Sequence, residues 1–99
     1  MWGAIAVNDD GGYGFSVGCM TQGEAEWRAS QEAGPGSVLV ASVFEGFAVL
    51  AAGRVDGRPL YQGGTGPSLS DAEFDAMEGL RCSGAMDIQL LQNIFSGIA

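Results

Sequence analysis

The stretch Glu24–Ala29, EAEWRA, is the clearest sign of the architecture, because it recurs later in the chain as DAEFDA at Asp71–Ala76. The opening run Trp2–Val7, WGAIAV, recurs loosely and in the same order as FAVLAA at Phe47–Ala52. Self-similarity of this kind is typical of a supersecondary unit that occurs more than once in the chain.

A third pair of segments marks the ends of the two units. The tripeptide Phe44–Gly46, FEG, recurs as FSG at Phe95–Gly97. The sequence therefore predicts two pseudo-repeats, over about residues 2–46 and 47–97, within a single domain of residues 1–99. Each unit is predicted to form a hairpin, then a helix and then a closing strand.

Two helix starts carry the form of a capping box, in which a hydroxyl residue precedes an acidic residue by three positions. Thr21 with Glu24 predicts the first helix, which a Gly-Pro-Gly run ends. Ser70 with Glu73 predicts the second helix, which continues to about Arg81. The aromatic residues of these helices are expected in the core, together with the tryptophan of the opening strand: Trp2, Trp27 and Phe74.

Strands are predicted where apolar and β-branched residues alternate between turn signals. These segments are Trp2–Val7, Tyr13–Gly18, Val38–Phe44, Phe47–Ala52 and the region of Leu60 and Tyr61. The last segment, Met86 to Ile98, stays open between two structures. Its apolar residues fit a helical stripe, whereas comparison with the first repeat predicts a closing strand.

These elements predict the α+β class, with one antiparallel sheet of five to six strands and two or three helices mainly on one face. Val38–Phe44 and Phe47–Ala52 are apolar on both faces, although a half-exposed antiparallel sheet alternates apolar and polar residues. The face without helices must then be shielded by the C-terminal segment, by a second copy or by a partner. If Met86 to Ile98 is a strand, we expect a homodimer through the apolar sheet face, or a bound target.

Composition excludes several classes of chemistry. The chain has 12 acidic residues, four arginines and neither lysine nor histidine, for a formal charge of -8. Without histidine it has no Ser-His or Cys-His pair and no imidazole metal ligand. Without lysine it has no Schiff base and no complete P-loop. We expect a protein that is not an enzyme, holds no cofactor or metal, and binds neither nucleic acid nor a membrane directly.

Cysteine and hydropathy patterns bound the compartment. Two cysteines do not make a disulfide framework, and whether Cys19 and Cys82 pair is left open by their spacing. The opening run has no basic region before it, so it is interpreted as a strand and not as a signal peptide. No window reaches the roughly 18 uninterrupted apolar residues of a membrane span. We expect a cytoplasmic protein, or a periplasmic or secreted one if a leader was removed.

Several motifs together resemble a bacterial family known as domain of unknown function 4189. They are the opening Trp2–Val7, the return strand Gly12–Ser16 (GYGFS), its counterpart Gly63–Gly66 (GGTG), the helix motif Asp71–Ala76 and the cysteine Cys82 at the helix end. The resemblance covers nearly the whole chain and implies two ββαβ-like repeats. It implies a small bacterial protein without a known catalytic constellation, with a link to conflict between cells in some members. Family members usually carry a leader and several cysteines.

The acidic residues of the helices suggest a function. Asp71, Asp75 and Glu78 fall at i, i+4 and i+7, on one face of the second helix. Like charges at this spacing cost a few tenths of a kcal/mol per pair, and such a field attracts a basic partner. The predicted partner-binding residues are Asp71, Asp75, Glu78, Glu24, Glu32, Asp9 and Asp10.

We therefore expect a non-enzymatic inhibitor that binds a basic protein. One form is an immunity protein or nucleic-acid mimic that neutralises a bacterial toxin or nuclease. Another is an anti-CRISPR-type phage inhibitor of an RNA-guided defence complex, which would use the same physics. A structural module that associates with itself is the alternative from a different class, and it would show little salt dependence.

Overall fold

The structure is a computed structural model and describes residues 1–97. Two helices and six strands follow one another in the order ββαβ, twice. In chain order they are β1 (Trp2–Val7), β2 (Tyr13–Cys19), α1 (Gln22–Ala33), β3 (Val38–Phe44), β4 (Gly46–Val55), β5 (Arg58–Gly66), α2 (Leu69–Cys82) and β6 (Met86–Ser96).

The strands form two antiparallel sheets of three, and each sheet comes from one ββαβ unit. The order is β2-β1-β3 in the first sheet and β5-β4-β6 in the second. The opening strand of each unit is therefore central, because the hairpin strand pairs on one side and the closing strand on the other. The β4–β5 hairpin turns at Asp56 and Gly57, which both have positive φ, as a tight two-residue hairpin requires.

Three clusters of buried side chains define four layers. Ala4 and Ala6 of β1 pack against α1, and Val49 and Ala51 of β4 pack against α2. Ile5, which points to the other face of β1, packs in a central cluster with Val43, Ala48, Leu50 and Ile94 from both sheets. The two sheets thus pack face to face, and one helix covers the outer face of each.

The predicted α+β class is confirmed, and the six antiparallel strands and two helices lie within the predicted five to six strands and two or three helices. The structure differs from the prediction in having two sheets in place of one, with the helices on opposite outer sides. The alternation of side chains shows which residues share a face of a strand, but not what covers that face. The second apolar face is covered by the other sheet, so the strand pattern no longer calls for a homodimer.

The closing strand of the second unit settles the segment that the sequence left open. Met86–Ser96 is β6 and pairs with β4 along its length, so the helical alternative is wrong. Two irregularities in the pairing register, between Leu50 and Ala51 and between Ala52 and Arg54, disturb strict alternation of the apolar residues. That disturbance explains why the periodicity imitated a helix. Ile98 lies outside the described residues.

The helix boundaries show which hydroxyl residue caps each helix. Thr21 caps α1, and its side chain accepts a hydrogen bond from the Glu24 amide, as predicted. Ser68, two residues before the predicted Ser70, caps α2 and accepts from the Asp71 amide. Both serines have an acidic residue three positions later, so the capping-box pattern alone could not choose between them.

Glycine allows each helix to lie very close to its sheet. A Cβ atom at Gly14 of β2 would lie 2.6 Å from the Cβ of Glu32 in α1. A Cβ atom at Gly64 of β5 would lie 2.9 Å from the Cα of Ala76 in α2. Alanines of both helices complete these close contacts, so the positions that face Gly14 and Gly64 leave no room for a large side chain.

Candidate functional site

The most exposed aromatic side chain of the second unit lies on α2. Phe74 is 60% exposed, and Asp71 and Glu78 lie three residues before it and four residues after it. Residues at these spacings share a helix face. We call Asp71, Phe74, Asp75 and Glu78 the α2 face. An apolar centre with a charged border is the usual composition of a protein docking surface.

Asp71 is held by the cap of its own helix. The Ser68 hydroxyl donates to Asp71 Oδ2 at 2.9 Å, and the Asp71 amide donates to Ser68 Oγ at 3.2 Å. The carboxylate also lies in the first turn, where the helix dipole favours a negative charge. The partner of this carboxylate is a neutral hydroxyl, so its position is restrained without a cation beside it.

Asp75 joins α2 to the edge of the second sheet. Its Oδ2 accepts a hydrogen bond from the Thr65 amide of β5 at 3.0 Å. The bond satisfies a backbone donor on an edge strand and helps to fix the helix on the sheet. An ionised carboxylate has about four acceptor sites, so this single bond leaves Asp75 able to accept others.

Glu78 is the member of the α2 face whose charge is compensated. Its Oε1 lies 2.8 Å from Arg81 Nη1, three residues later, and both side chains are about half exposed. An exposed pair of this kind contributes at most about 1 kcal/mol and is screened by salt. A partner's arginine or lysine can therefore replace Arg81 at small cost.

The first unit has the same kind of face on α1. Trp27 is 63% exposed, and Glu24 lies three residues before it. Glu24 Oε1 pairs with Arg28 Nη2 at 2.8 Å, while Glu32 near the end of the helix is exposed. We call Glu24, Trp27 and Arg28 the α1 face. Glu32 lies five residues after Trp27, about 140° around the helix, and is not part of this face.

The prediction that Trp27 and Phe74 belong to the core is wrong, whereas Trp2 does pack against the core cluster beneath α1. The sequence held a signal that could have corrected it. Buried alanines at positions 25 and 29 of α1, and at 72 and 76 of α2, define the inner stripe of each helix. Each aromatic residue lies midway between two of those alanines, about 200° around the helix from each. Trp27 and Phe74 are thus functional candidates that sequence reasoning missed.

Asp9 and Asp10 lie in the β1–β2 turn, away from α2. Asn8 fixes that turn, because its Oδ1 accepts from the amides of Asp10 and Gly12 and its Nδ2 donates to the Ala33 carbonyl at the end of α1. The two aspartates therefore lie near the C-terminal end of α1, where Glu32 also lies. The structure brings Asp9, Asp10 and Glu32 to one end of the first unit.

The predicted partner-binding residues therefore form two groups and not one surface. Asp71, Asp75 and Glu78 lie on α2, which covers the second sheet. The others, Glu24, Glu32, Asp9 and Asp10, belong to the first unit. Because the helices cover opposite outer sides, no single partner surface of ordinary size contacts both groups.

The surrounding structure alters the titration of Glu26. The Ser42 hydroxyl donates to its Oε2 at 2.6 Å, and the Gln22 side-chain amide donates to the same oxygen at 2.9 Å. These hydrogen bonds stabilise the ionised form and hold the pKa of Glu26 below its ordinary value, the bond from Ser42 having the larger effect. Glu26 thereby ties α1 to β3 and is a structural residue.

Exposed aromatic residues also mark the closing strands. Phe44 of β3 contacts Trp2 with ring centroids 5.3 Å apart, and Phe95 of β6 contacts Phe47 at 4.8 Å. Phe44 and Phe95 are each 53% exposed. Both pairs lie on the helix-covered side of their sheet, so each unit adds aromatic surface on the side of its helix.

Residues 1–97 have further features that bear on what the chain could bind: a groove, its acidic residues and cysteines, and the length of its helices. A shallow groove of about 490 Å³ lies at the far end of the second sheet and includes Arg54, Tyr61 and Asp87 in its lining. Among the described residues, no group of three or more cysteine, aspartate or glutamate side chains is arranged to hold a metal ion. Both cysteines are free, Cys19 buried and Cys82 exposed. Within the same range, no helix is long and apolar enough to cross a bilayer.

A family model described as domain of unknown function (DUF4189) matches residues 2–89, which is most of the chain. No curated protein and no solved structure matches the chain.

Proposed function

From the premise that this chain belongs to the DUF4189 family, whose name assigns no activity, we propose that it is a non-enzymatic inhibitor that docks on a basic protein. The target class is a bacterial toxin or nuclease, whose cationic cleft normally holds phosphates. The observation that carries the proposal is the exposed Phe74 at the centre of the acidic α2 face. Aromatic anchors within a polar border are where binding energy concentrates in protein interfaces.

Charge supports the choice of partner. Four carboxylates and one guanidinium lie along α2, in a chain with a net charge of -8. The carboxylates of Asp71 and Asp75 accept hydrogen bonds from neutral donors, which restrain their positions without placing a cation beside them. Restrained charges lose less conformational entropy when a partner binds. Arginines and lysines that bind a phosphate backbone would find carboxylates held in place on this face.

The experiment is a pull-down from a lysate of the source organism, treated with nuclease and eluted with stepped salt. Proteins that elute are identified by mass spectrometry, and the candidate is purified for titration. Phe74→Ala should weaken its affinity by about tenfold or more, which corresponds to about 1.4 kcal/mol. Glu78→Gln should reduce the dependence of affinity on salt.

Two matched controls lie on other parts of the surface. Met86→Ala removes an apolar side chain that is 71% exposed at the start of β6, and Asp56→Asn removes a charge from the β4–β5 turn. Both should bind as the wild type does. The proposal is wrong if Phe74→Ala keeps wild-type affinity while remaining folded. Recovery of an RNA-guided defence complex in place of a toxin would assign the target, since both present the same cationic chemistry.

A further inference from the structure

The two helices share several positions of their outer surfaces when they are aligned from their caps. Thr21 aligns with Ser68, the acidic residue three positions later is Glu24 or Asp71, and the alanine after that is buried in both helices. Three positions beyond the acidic residue, each helix carries its exposed aromatic residue. The α1 face therefore repeats the first acidic position and the aromatic position of the α2 face, whereas Arg28 replaces Asp75 and Gln31 replaces Glu78.

The exposed aromatic residues of the two units repeat as well. Trp27 and Phe74 differ in exposure by only a few per cent. The contact between Trp2 and Phe44 in the first unit has its counterpart between Phe47 and Phe95 in the second. An aromatic residue thus occupies the same three positions in both units, although the residues that surround these positions differ.

The layers place the two faces on opposite sides of the molecule. Each helix lies on the outer face of its sheet, and the sheets pack against each other through a shared cluster. Stacked sheets lie about 10 Å apart, and a helix adds a further layer on each side. Two partners that dock on α1 and α2 are thus separated by the whole thickness of the protein and do not collide.

We infer that one molecule of this protein holds two copies of its basic partner, one on the α2 face and one on the α1 face. The inference rests on the proposed function and extends it to a second surface. The two sites are unequal, because Arg28 on α1 stands where Asp75 stands on α2. Arg28 pairs with Glu24 and reduces the negative charge around Trp27. The α1 site therefore binds more weakly, and its affinity depends less on salt.

A defined probe tests the inference before any partner is known. The probe is a synthetic amphipathic peptide of leucine and lysine, two heptads long, which presents an apolar helix face bordered by positive charges. Isothermal titration should give two peptides per wild-type chain, with the weaker site at least several-fold lower in affinity. Trp27→Ala and Phe74→Ala should each leave one site, and the double variant none. ¹⁵N NMR should show shifts of the Trp27 indole that persist in Phe74→Ala.

The outcomes separate the inference from the function on which it rests. One site in the wild type, lost in Phe74→Ala and unaffected by Trp27→Ala, overturns the second surface and leaves the proposed function standing. Two sites that neither substitution removes would overturn both. Equal binding of a lysine-only peptide with the same charge also overturns both, since the aromatic residues would then contribute nothing. Met86→Ala is the control and should keep two sites.

Discussion

The tight contact between α2 and its sheet makes a substitution at Gly64 the most informative test of the fold. In Gly64→Ala the new methyl would overlap the Ala72 carbonyl oxygen and the Ala76 amide nitrogen, and it would lie 2.9 Å from the Ala76 Cα. All three are backbone atoms, so no side-chain rotation can relieve the overlap. The helix must move outward by roughly 0.5 Å or more, which loosens an interface that is packed at crystal-like density.

The size of the effect follows from two opposing contributions. Forcing extra volume into a packed interface costs about 1–3 kcal/mol. Alanine in place of glycine in a strand contributes about 0.5–1 kcal/mol in the other direction, because it restricts the unfolded chain. We therefore expect a net loss of about 1–2 kcal/mol in the free energy of unfolding. For a chain of this size, that corresponds to a fall in Tm of roughly 5–15 °C.

Urea and thermal unfolding, followed by far-ultraviolet circular dichroism, measure this loss. Gly14→Ala is the matched substitution in the first unit, where the methyl would meet the α1 backbone and the Glu32 Cβ. Gly23→Ala is the control, since a Cβ atom there meets nothing within 4 Å and should leave stability unchanged or raise it by up to about 1 kcal/mol. A Gly64→Ala protein as stable as Gly23→Ala would refute the close approach of helix and sheet.

Three further predictions concern individual side chains. Asp75→Asn should lower the free energy of unfolding by about 0.5–1.5 kcal/mol in urea denaturation, because the Thr65 amide loses a charged acceptor; an unchanged midpoint would show that this bond does not hold the helix. The pKa of Glu26 is lower in the folded chain than in the unfolded chain. The ionised Glu26 side chain therefore contributes to the free energy of unfolding above about pH 4.3, and this contribution is lost as the pH falls through the folded-state pKa. Urea midpoints measured from about pH 6 to about pH 3, the range in which carboxylates titrate, should therefore fall less steeply with pH in Glu26→Gln than in the wild type. Parallel curves for the two proteins would contradict this. Iodoacetamide should modify the exposed Cys82 in the native protein and the buried Cys19 only after unfolding, which mass spectrometry of tryptic peptides would show; equal labelling would contradict the buried position.

Much of the fold was predictable because its determinants are local. The cap at Thr21 and the strand Val38–Phe44 were predicted as observed, since each depends on a few adjacent residues. The repeat added what local patterns could not, because comparison with the first unit predicted the closing strand that its own periodicity obscured. The division into two sheets was not predictable in this way. It depends on which apolar face packs against which, and a strand with two apolar faces fits either a sheet covered by a partner or a sheet covered by another sheet.

The candidate site was predictable in part for a related reason. The spacing of Asp71, Asp75 and Glu78 predicted that they share one helix surface. It did not predict that Ser68 would bond to Asp71 or that Thr65 of the neighbouring strand would bond to Asp75. The aromatic residues were assigned to the core because burial of aromatic side chains is the usual outcome. That rule failed because each helix approaches a glycine of its sheet through buried alanines, and Trp27 and Phe74 lie on the opposite side of the helix from those alanines.

Exposure of the two aromatic residues follows from the fold, but their identity does not. A helix that packs through alanine on a glycine-bearing strand needs small residues inward, and it accepts any polar residue outward at Trp27 or Phe74. Truncating a ring that is 60% exposed should change the free energy of unfolding by no more than about 0.5 kcal/mol. Stability therefore does not require aromatic residues there, whereas a docking surface does, because an apolar ring contributes to affinity only when a partner covers it. Phe74→Ala should accordingly leave the urea midpoint almost unchanged while it weakens partner binding. A large loss of stability would instead assign the ring to the fold and remove the main support for the α2 face.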